Sequence, residues 1–365
     1  MFSAADLQAM HDALHLAESA IGLSDPNPRV GCILIGVQGQ RAEGHTQAAG
    51  HAHAEVMALR AAQAAGWDPR GATAYVTLEP CAHHGRTPPC CDALAQAGVA
   101  RVVAALSDPN PLVAGQGFAR LRAAGIEVQT GLCEDAAREL NIGFFSRMQR
   151  RRPWTRMKIA ASLDGRTALP DGTSQWITGE AARADGHAWR RRAGAVLTGV
   201  GTVREDDPRL DVRLVPTARQ PLRVIVDSRL DTPAHARILE PPGSVRLYTA
   251  SPDETVLAAF EGLAEVKLLP DTNGKVDLAA MLADLAAGGI NELHVEAGHR
   301  LNGSLVRQGL VDEFLVYLAP KLLGIGREMA TFGPLASLND APALHFTDIT
   351  QIGADLRILA RPMAP

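Results

Sequence analysis

The stretch from His51 to Cys91 constrains this chain more than any other. A His-x-Glu pair, His53 and Glu55, opens an apolar helical run; a strand-like segment at 74–78 follows, and a loop opens on Pro80-Cys81 and closes on Cys90. One imidazole and two thiolates are soft ligands that suit zinc, with a fourth position left for water. A carboxylate beside such a water can move its protons. Residues two apart on a helix point to different sides, so His53 and Glu55 share a site only at the helix's first turn. Cys90 opens the next helical run, so two helix N-termini, which favour thiolate and hydroxide, would face one metal. Adjacent residues at a helix start point about 100° apart, so only one of Cys90 and Cys91 should reach it. The stretch reads as the site of a zinc-hydroxide hydrolase.

The rest of the chain narrows the setting. Its 365 residues suffice for two domains with separate cores. A net charge of −4 and 4% aromatic residues give neither a pull towards nucleic acid or anionic membrane nor a base-stacking surface. No run of 18 apolar residues and no basic-then-apolar leader is seen, so neither a membrane span nor a signal peptide is expected. The five cysteines (Cys32, Cys81, Cys90, Cys91 and Cys133) read as reduced thiols or ligands in a cytoplasmic protein, with Cys32 as core filler.

Helical spacing over 7–21, a buried strand at 30–35, a helix at 54–65 and alternating strands and helices to 146 predict an α/β layered sheet. Residues 44–53 read as a loop. The basic run Arg147 to Arg152, ending at Pro153, reads as a solvated linker, with a nucleic-acid patch as the alternative. The expected domains are 1–147 and 148–365. The second is again α/β, with strands near 157–161, 195–199, 222–227, 245–249, 292–296 and 313–319, and residues 230–290 read as scaffold.

His-x-Glu followed by Pro-Cys is the zinc-deaminase signature, in which the two cysteines stand two residues apart; here eight separate Cys81 from Cys90. That longer loop resembles the deaminase of riboflavin biosynthesis, as do Asp25-Pro26-Asn27-Pro28-Arg29-Val30-Gly31, Gly44-His45, Gly50-His51-Ala52-His53-Ala54-Glu55 and the Asp108-Pro109-Asn110-Pro111 run. The resemblance implies a cytidine-deaminase-like α/β/α domain that hydrolytically deaminates a diaminopyrimidinone carrying a ribosylamino phosphate. His53, Cys81 and Cys90 would hold one Zn²⁺, and Glu55 would shuttle the proton. Asn27 would hydrogen-bond the pyrimidine, and Arg86 is a candidate for its phosphate, where a guanidinium binds bidentately. His83 and His84 would line or cover the pocket.

In the second half the glycine turns Gly199-Val200-Gly201-Thr202 and Gly298 to Ser304 do not fit the Rossmann fingerprint, though either can cradle a pyrophosphate. With Lys158 to Thr167, Ser174-Gln175-Trp176-Ile177-Thr178-Gly179 and Val200 to Arg213, they resemble the reductase of the same pathway, similar in fold to dihydrofolate reductase. Together the halves are similar to the bifunctional bacterial enzyme. This implies NADPH-dependent reduction of the ribosyl group to ribityl. Ala160, Trp176, Thr202, Asp206, Ser228, Gly298, His299, Arg300, Leu301, Asn302, Gly303 and Ser304 would contact NADPH. Ser174, Arg190, Leu210, Arg213 and Glu296 would contact substrate, with Lys158 and Asp206 as catalytic candidates for proton supply. Two departures stand out: Ala297 where the family writes a second glycine, and Gly194 where an Asp is common.

The expected partners are small phosphorylated pyrimidines, with neither nucleic acid nor membrane, and the chain is expected to be a homo-oligomer. The rival readings are an active deaminase with a degenerate reductase-like domain, a zinc deaminase that edits nucleic acid, and a purely structural zinc module.

Overall fold

A computed structural model describes residues 2–82, 88–111, 114–251, 253 and 257–363. The chain divides into two compact units, Met1–Arg151 and Arg152–Pro365.

In the first unit α1 (Ala4–Glu18) starts where Ser3 and Asp6 close a capping box. The Asp6 N–H donates to Ser3 Oγ at 3.1 Å, and the Ser3 N–H donates to Asp6 Oδ2 at 2.8 Å. Asp6 also accepts from Tyr75 and Arg101, at 2.7 Å each, which ties the helix to the sheet. Strands β1 (Gly31–Ile35), β2 (Arg41–His45), β3 (Thr73–Val76), β4 (Arg101–Ala104) and β5 (Glu127–Thr130) lie in the order β2-β1-β3-β4-β5. β1 is antiparallel to both neighbours, and β3, β4 and β5 are parallel. The helices that follow are α2 (Ala54–Ala64), α3 (Cys90–Gln96), α4 (Gln116–Ala123), α5 (Glu134–Leu140) and α6 (Ile142–Arg150).

Two glycines set how closely helices approach the sheet. A Cβ on Gly31 would stand 1.9 Å from the Ala13 carbonyl oxygen of α1, and one on Gly44 would stand 2.3 Å from that of Ala54 in α2. Gly44 pairs with Cys32, so the two glycines face opposite sides of the sheet and the helices cover both. The α/β/α layering is as expected, with two corrections. Gly44-His45, read as loop, ends strand β2, whose inward residues are only Ala42 and Gly44 and give no apolar signal. Arg147 to Arg150, read as linker, form the last turn of α6, where Arg150 Nη2 donates to Ser146 Oγ at 2.6 Å.

The second unit holds β6 (Trp154–Ser162), β7 (Arg166–Ala168), α7 (Glu180–Arg192), β8 (Ala195–Gly199), α8 (Val200–Asp206), β9 (Leu222–Val226), β10 (Val245–Thr249), β11 (Glu265–Leu268), α9 (Leu278–Ala287), β12 (Glu292–Val295), α10 (His299–Arg307), β13 (Glu313–Ala319), β14 (Arg327–Glu328), β15 (Leu344–Ile352) and β16 (Asp355–Pro362). The main sheet runs β11-β10-β9-β8-β12-β6-β13-β16-β15, parallel as far as β13 and antiparallel in the closing hairpin. β12 enters between β8 and β6, so the loops after β8 and β12 leave the sheet side by side. The glycine turn at Gly298, with a helix expected from Arg300 to Gln308, is borne out by α10, which begins one residue earlier than expected, with Gly298 as its N-cap. β15 and its hairpin carried no prediction, because much of their surface, Phe346 and Ile349 included, is exposed and lacks a buried-strand pattern.

Candidate active sites

His53 is the N-cap of α2 and Cys90 the first residue of α3, so two helix starts meet the Pro80-Cys81 turn. His53 Nδ1 lies 3.6 Å from Cys81 Sγ and 3.4 Å from Cys90 Sγ, and the three ligand atoms all fall within 4.8 Å of one another. Tetrahedral bonds to zinc put neighbouring N and S ligands about 3.5–3.8 Å apart, so the donor set fits Zn²⁺ in both chemistry and spacing. The Cys90 N–H, at the positive end of α3, donates to Cys81 Sγ at 3.3 Å. Hydrogen bonding from Cys90, and next from His53, draws Cys81 towards thiolate against the opposing effect of burial. Cys91 turns away: it packs in the apolar core, and its sulfur lies 3.5 Å from Asp92 Oδ1. Glu55, one residue into α2 and buried, has its carboxyl raised to about 7, first by burial and then by the Cys81 charge.

A cavity of about 480 Å³ opens beside these residues, lined among others by Asn27, His51, His53, Glu55, Cys81, Asp108 and Arg147. Arg86, the expected phosphate contact, lies outside the described residues, as do His83 and His84.

Two residues of this site carried no expectation. Glu79 is buried and takes four backbone N–H groups, from Asp108 (3.2 Å) and Gly115 (2.9 Å) on one oxygen and from Gly117 (2.9 Å) and Phe118 (3.4 Å) on the other. Glu79, two residues before Cys81, thereby ties down Asp108, Gly115, Gly117 and Phe118, and Asp108 and Asn110 belong to the cavity wall. A Cβ on Gly117 would stand 2.0 Å from the Pro80 carbonyl oxygen, so only glycine allows that approach. The other is Arg147, part of the basic run in the sequence, which stands three residues after Phe144 on one face of α6 and lines the cavity with it.

In the second unit Arg190 and Glu296, both expected at substrate, bind each other. Arg190 Nε and Nη2 both donate to the Glu296 carboxylate (Nη2 at 2.9 Å), and Nη1 donates to the Asp211 carbonyl at 2.9 Å. Lys158 Nζ stands 3.6 Å from Glu296 Oε2. Burial opposes the Glu296 charge, yet Arg190 and Lys158 hold its carboxyl well below the usual carboxylate range. Most donors of Arg190 are thus committed within the protein. Arg213 is exposed and bonds Asp211, while its backbone N–H donates to buried His187 Nδ1 at 3.1 Å. Asp206, at the end of α8, has its carboxyl raised, first by burial and then by the Glu205 charge, with Ser174 acting the other way, and no hydrogen bond or ion pair joins it to Lys158 among the described residues.

The glycines and their neighbours divide into packing and open positions. A Cβ on Gly303 would overlap the Thr331 carbonyl oxygen at 1.8 Å, and one on Gly199 would press on Leu301 at 3.3 Å. Asn302 is buried and donates to the Met329 carbonyl at 3.0 Å. Gly201 instead faces open space, and a Cβ on Gly298 would meet only Thr202 Oγ1, at 3.6 Å. These open positions follow adjacent parallel strands, and α10 presents its N-terminus there. That arrangement fits the pyrophosphate of a dinucleotide. Exposed Trp176, under the Arg183 guanidinium at 4.6 Å, is available for stacking. Leu210 is buried in the core beside Val203 and Ile225, so only its backbone is left to meet a ligand. Ser228 Oγ accepts the Val276 N–H at 3.1 Å.

The family of the cytidine and deoxycytidylate deaminase zinc-binding region matches residues 3–106, and the RibD C-terminal domain matches 153–358. The riboflavin biosynthesis protein RibD of Escherichia coli K12 is 46% identical over 361 residues, covering 95% of this chain and 96% of its own. The solved structure of Acinetobacter baumannii RibD is 41% identical with a TM-score of 0.88, covering 98% of this chain and 99% of that one. A diaminohydroxyphosphoribosylaminopyrimidine deaminase/5-amino-6-(5-phosphoribosylamino)uracil reductase of Thermotoga maritima, also solved, is 32% identical with a TM-score of 0.90 and the same coverage.

Proposed function

Since the chain belongs to the riboflavin biosynthesis protein RibD family, and is thus a bifunctional zinc-dependent deaminase and NADPH-dependent reductase, we propose that its two units act on consecutive intermediates. The first, Met1–Arg151, would deaminate 2,5-diamino-6-ribosylamino-4(3H)-pyrimidinone 5′-phosphate. The second, Arg152–Pro365, would reduce the ribosyl group of 5-amino-6-(5-phosphoribosylamino)uracil to ribityl. The observation that carries this reading is the cluster of His53, Cys81 and Cys90 beside buried Glu55 at the wall of a cavity sized for a small molecule.

His53, Cys81 and Cys90 hold the zinc, and Asn27 binds the pyrimidine edge. When bound, zinc supplies a Lewis acid that lowers the pKa of a water, and NADPH supplies a hydride. Glu55 takes a proton from the attacking water on its carboxylate and passes it to the leaving amine. Its burial keeps solvent away from that transfer. In the second unit the starts of α8 and α10 and the Trp176 ring hold NADPH, and Arg213 faces the substrate phosphate. Arg190 and Glu296 form one rigid pair that positions Lys158, and Lys158 with Asp206 supplies the proton and charge control for hydride transfer.

No helix among the described residues is long and apolar enough to cross a membrane. A cytoplasmic homo-oligomer fits this reading, and the exposed apolar side chains of β15, an edge strand, are consistent with burial against a second copy.

The test incubates zinc-loaded protein with the diaminopyrimidine phosphate, with and without NADPH, and follows it by mass spectrometry. Deamination raises the mass by about one unit (NH replaced by O) and reduction adds about two more. Unchanged substrate in both tubes refutes the assignment. A deaminated product that NADPH leaves unreduced would favour a degenerate second unit.

A further inference from the structure

We propose that Arg147, at the C-terminal end of α6, binds the phosphate of the deaminase substrate. This deepens the proposed function and rests on its phosphorylated substrate.

Phe144, Arg147 and Met148, spaced i, i+3 and i+4, all line the cavity and so form one face of α6 along its wall. The charges of that cavity are lopsided. Glu55, Glu79 and Asp108 line it, and among the described residues Arg147 is the sole arginine or lysine that does. A phosphate dianion would be repelled near the three carboxyl groups and drawn to the guanidinium. Two contacts help to hold the Arg147 side chain at this wall: Nη2 donates to the Pro26 carbonyl at 2.9 Å, and the guanidinium lies 5.6 Å from the Phe144 ring centroid. Pro26 precedes Asn27, the proposed contact for the pyrimidine edge, so base and phosphate would be read from neighbouring points of one wall. Burial makes the Arg147 charge costlier, an effect partly offset by Asp25. A bound dianion would supply further compensation, and a guanidinium suits phosphate geometrically.

The test compares wild type, Arg147→Gln and Arg147→Lys in steady-state deamination of two substrates, the ribosylaminopyrimidine with and without its 5′-phosphate. Zinc content measured for each variant reports whether the metal site is intact. For Arg147→Gln, KM for the phosphorylated substrate should rise on the order of 10- to 100-fold, with kcat little changed. Turnover of the unphosphorylated compound should stay near wild type, so the preference for phosphate collapses. Arg147→Lys, which keeps the charge, should recover part of it. Equal losses on both substrates with zinc retained, or no loss at all, overturn the proposal. If Arg147→Gln loses zinc, Arg147→Lys decides: phosphate preference equal to that of wild type, or equal losses on both substrates, overturns it. A wild type that deaminates neither compound would instead sink the proposed function.

Discussion

Replacing Glu79 tests whether one buried carboxylate sets the wall of the deaminase cavity. Its two oxygens take four backbone N–H groups between Asp108 and Phe118. Glu79→Gln keeps the shape but turns one oxygen into an NH₂, which then faces two N–H donors with nothing to accept from them. A buried donor left unsatisfied costs about 1–3 kcal/mol, so two of them destabilise the segment by roughly 2–5 kcal/mol, allowing for relaxation. The loss should be local. In hydrogen exchange followed by mass spectrometry, peptides covering 108–118 should lose protection by that margin, while peptides of Arg152–Pro365 exchange as in wild type. Deaminase kcat/KM should fall together with that protection, because Asp108 and Asn110 line the cavity, while NADPH turnover stays intact. Wild-type protection across 108–118 in Glu79→Gln would refute the anchoring role.

Glu55→Gln should keep one zinc per chain but lower deamination by about 10²- to 10⁴-fold without touching NADPH oxidation; near-normal deamination would remove Glu55 from the mechanism. Metal analysis should find zinc lost in Cys90→Ser and retained in Cys91→Ser, since Cys91 packs in the core, and the reverse result would reassign the ligand. Glu296→Gln leaves Arg190 and Lys158 without their shared counter-charge and should destabilise the second unit by about 3–5 kcal/mol in urea unfolding; an unchanged midpoint would show the pair to be dispensable. His187 is pushed down to about 4 by burial and then by Arg190 and Arg213. Its neutral form therefore stabilises the fold fully above the unfolded value of about 6.5, and roughly 3 kcal/mol is lost as pH falls from there towards 4. Unfolding midpoints of His187→Gln should lack that slope, and a slope equal to wild type would contradict it.

What the sequence disclosed was chemistry that is local along the chain. His53 and Glu55 sit at one helix start, and Cys81 and Cys90 bracket one loop, so ligand type and spacing sufficed to single out the three side chains that the fold brings within ligand distance of one another. What stayed hidden depends on contacts between distant segments. Arg190 and Glu296 are 106 positions apart; each looks like a ligand-binding residue alone, and only the fold shows them bound to each other. Gly303 looks like part of a phosphate loop, yet it is glycine because the Thr331 backbone lies against it. Leu210 sits in a motif but is buried as core. β2 escaped because alanine and glycine face inward, and the role of Glu79 escaped because its partners begin 29 residues later.

The first site stands at helix starts, and the second stands where parallel strands end and helices begin, for different physical reasons. In the first unit the start of α3 gives a backbone N–H to Cys81, which favours the thiolate that a soft cation requires. In the second, β12 lies between β8 and β6, so two strand ends open next to each other. Gly201 and Gly298 keep side chains out of that opening, Gly199 lets Leu301 of α10 pack close, and Gly303 admits the Thr331 backbone against the same helix. Ala297 adds a methyl to this edge, but it packs against the core cluster of β6, β8 and β12. Ala297 is partly buried in that packing, and the neighbouring positions with open space around them, Gly201 and Gly298, are still glycine. By that argument Ala297→Gly should leave the NADPH dissociation constant near that of wild type, and a large gain in affinity would refute it.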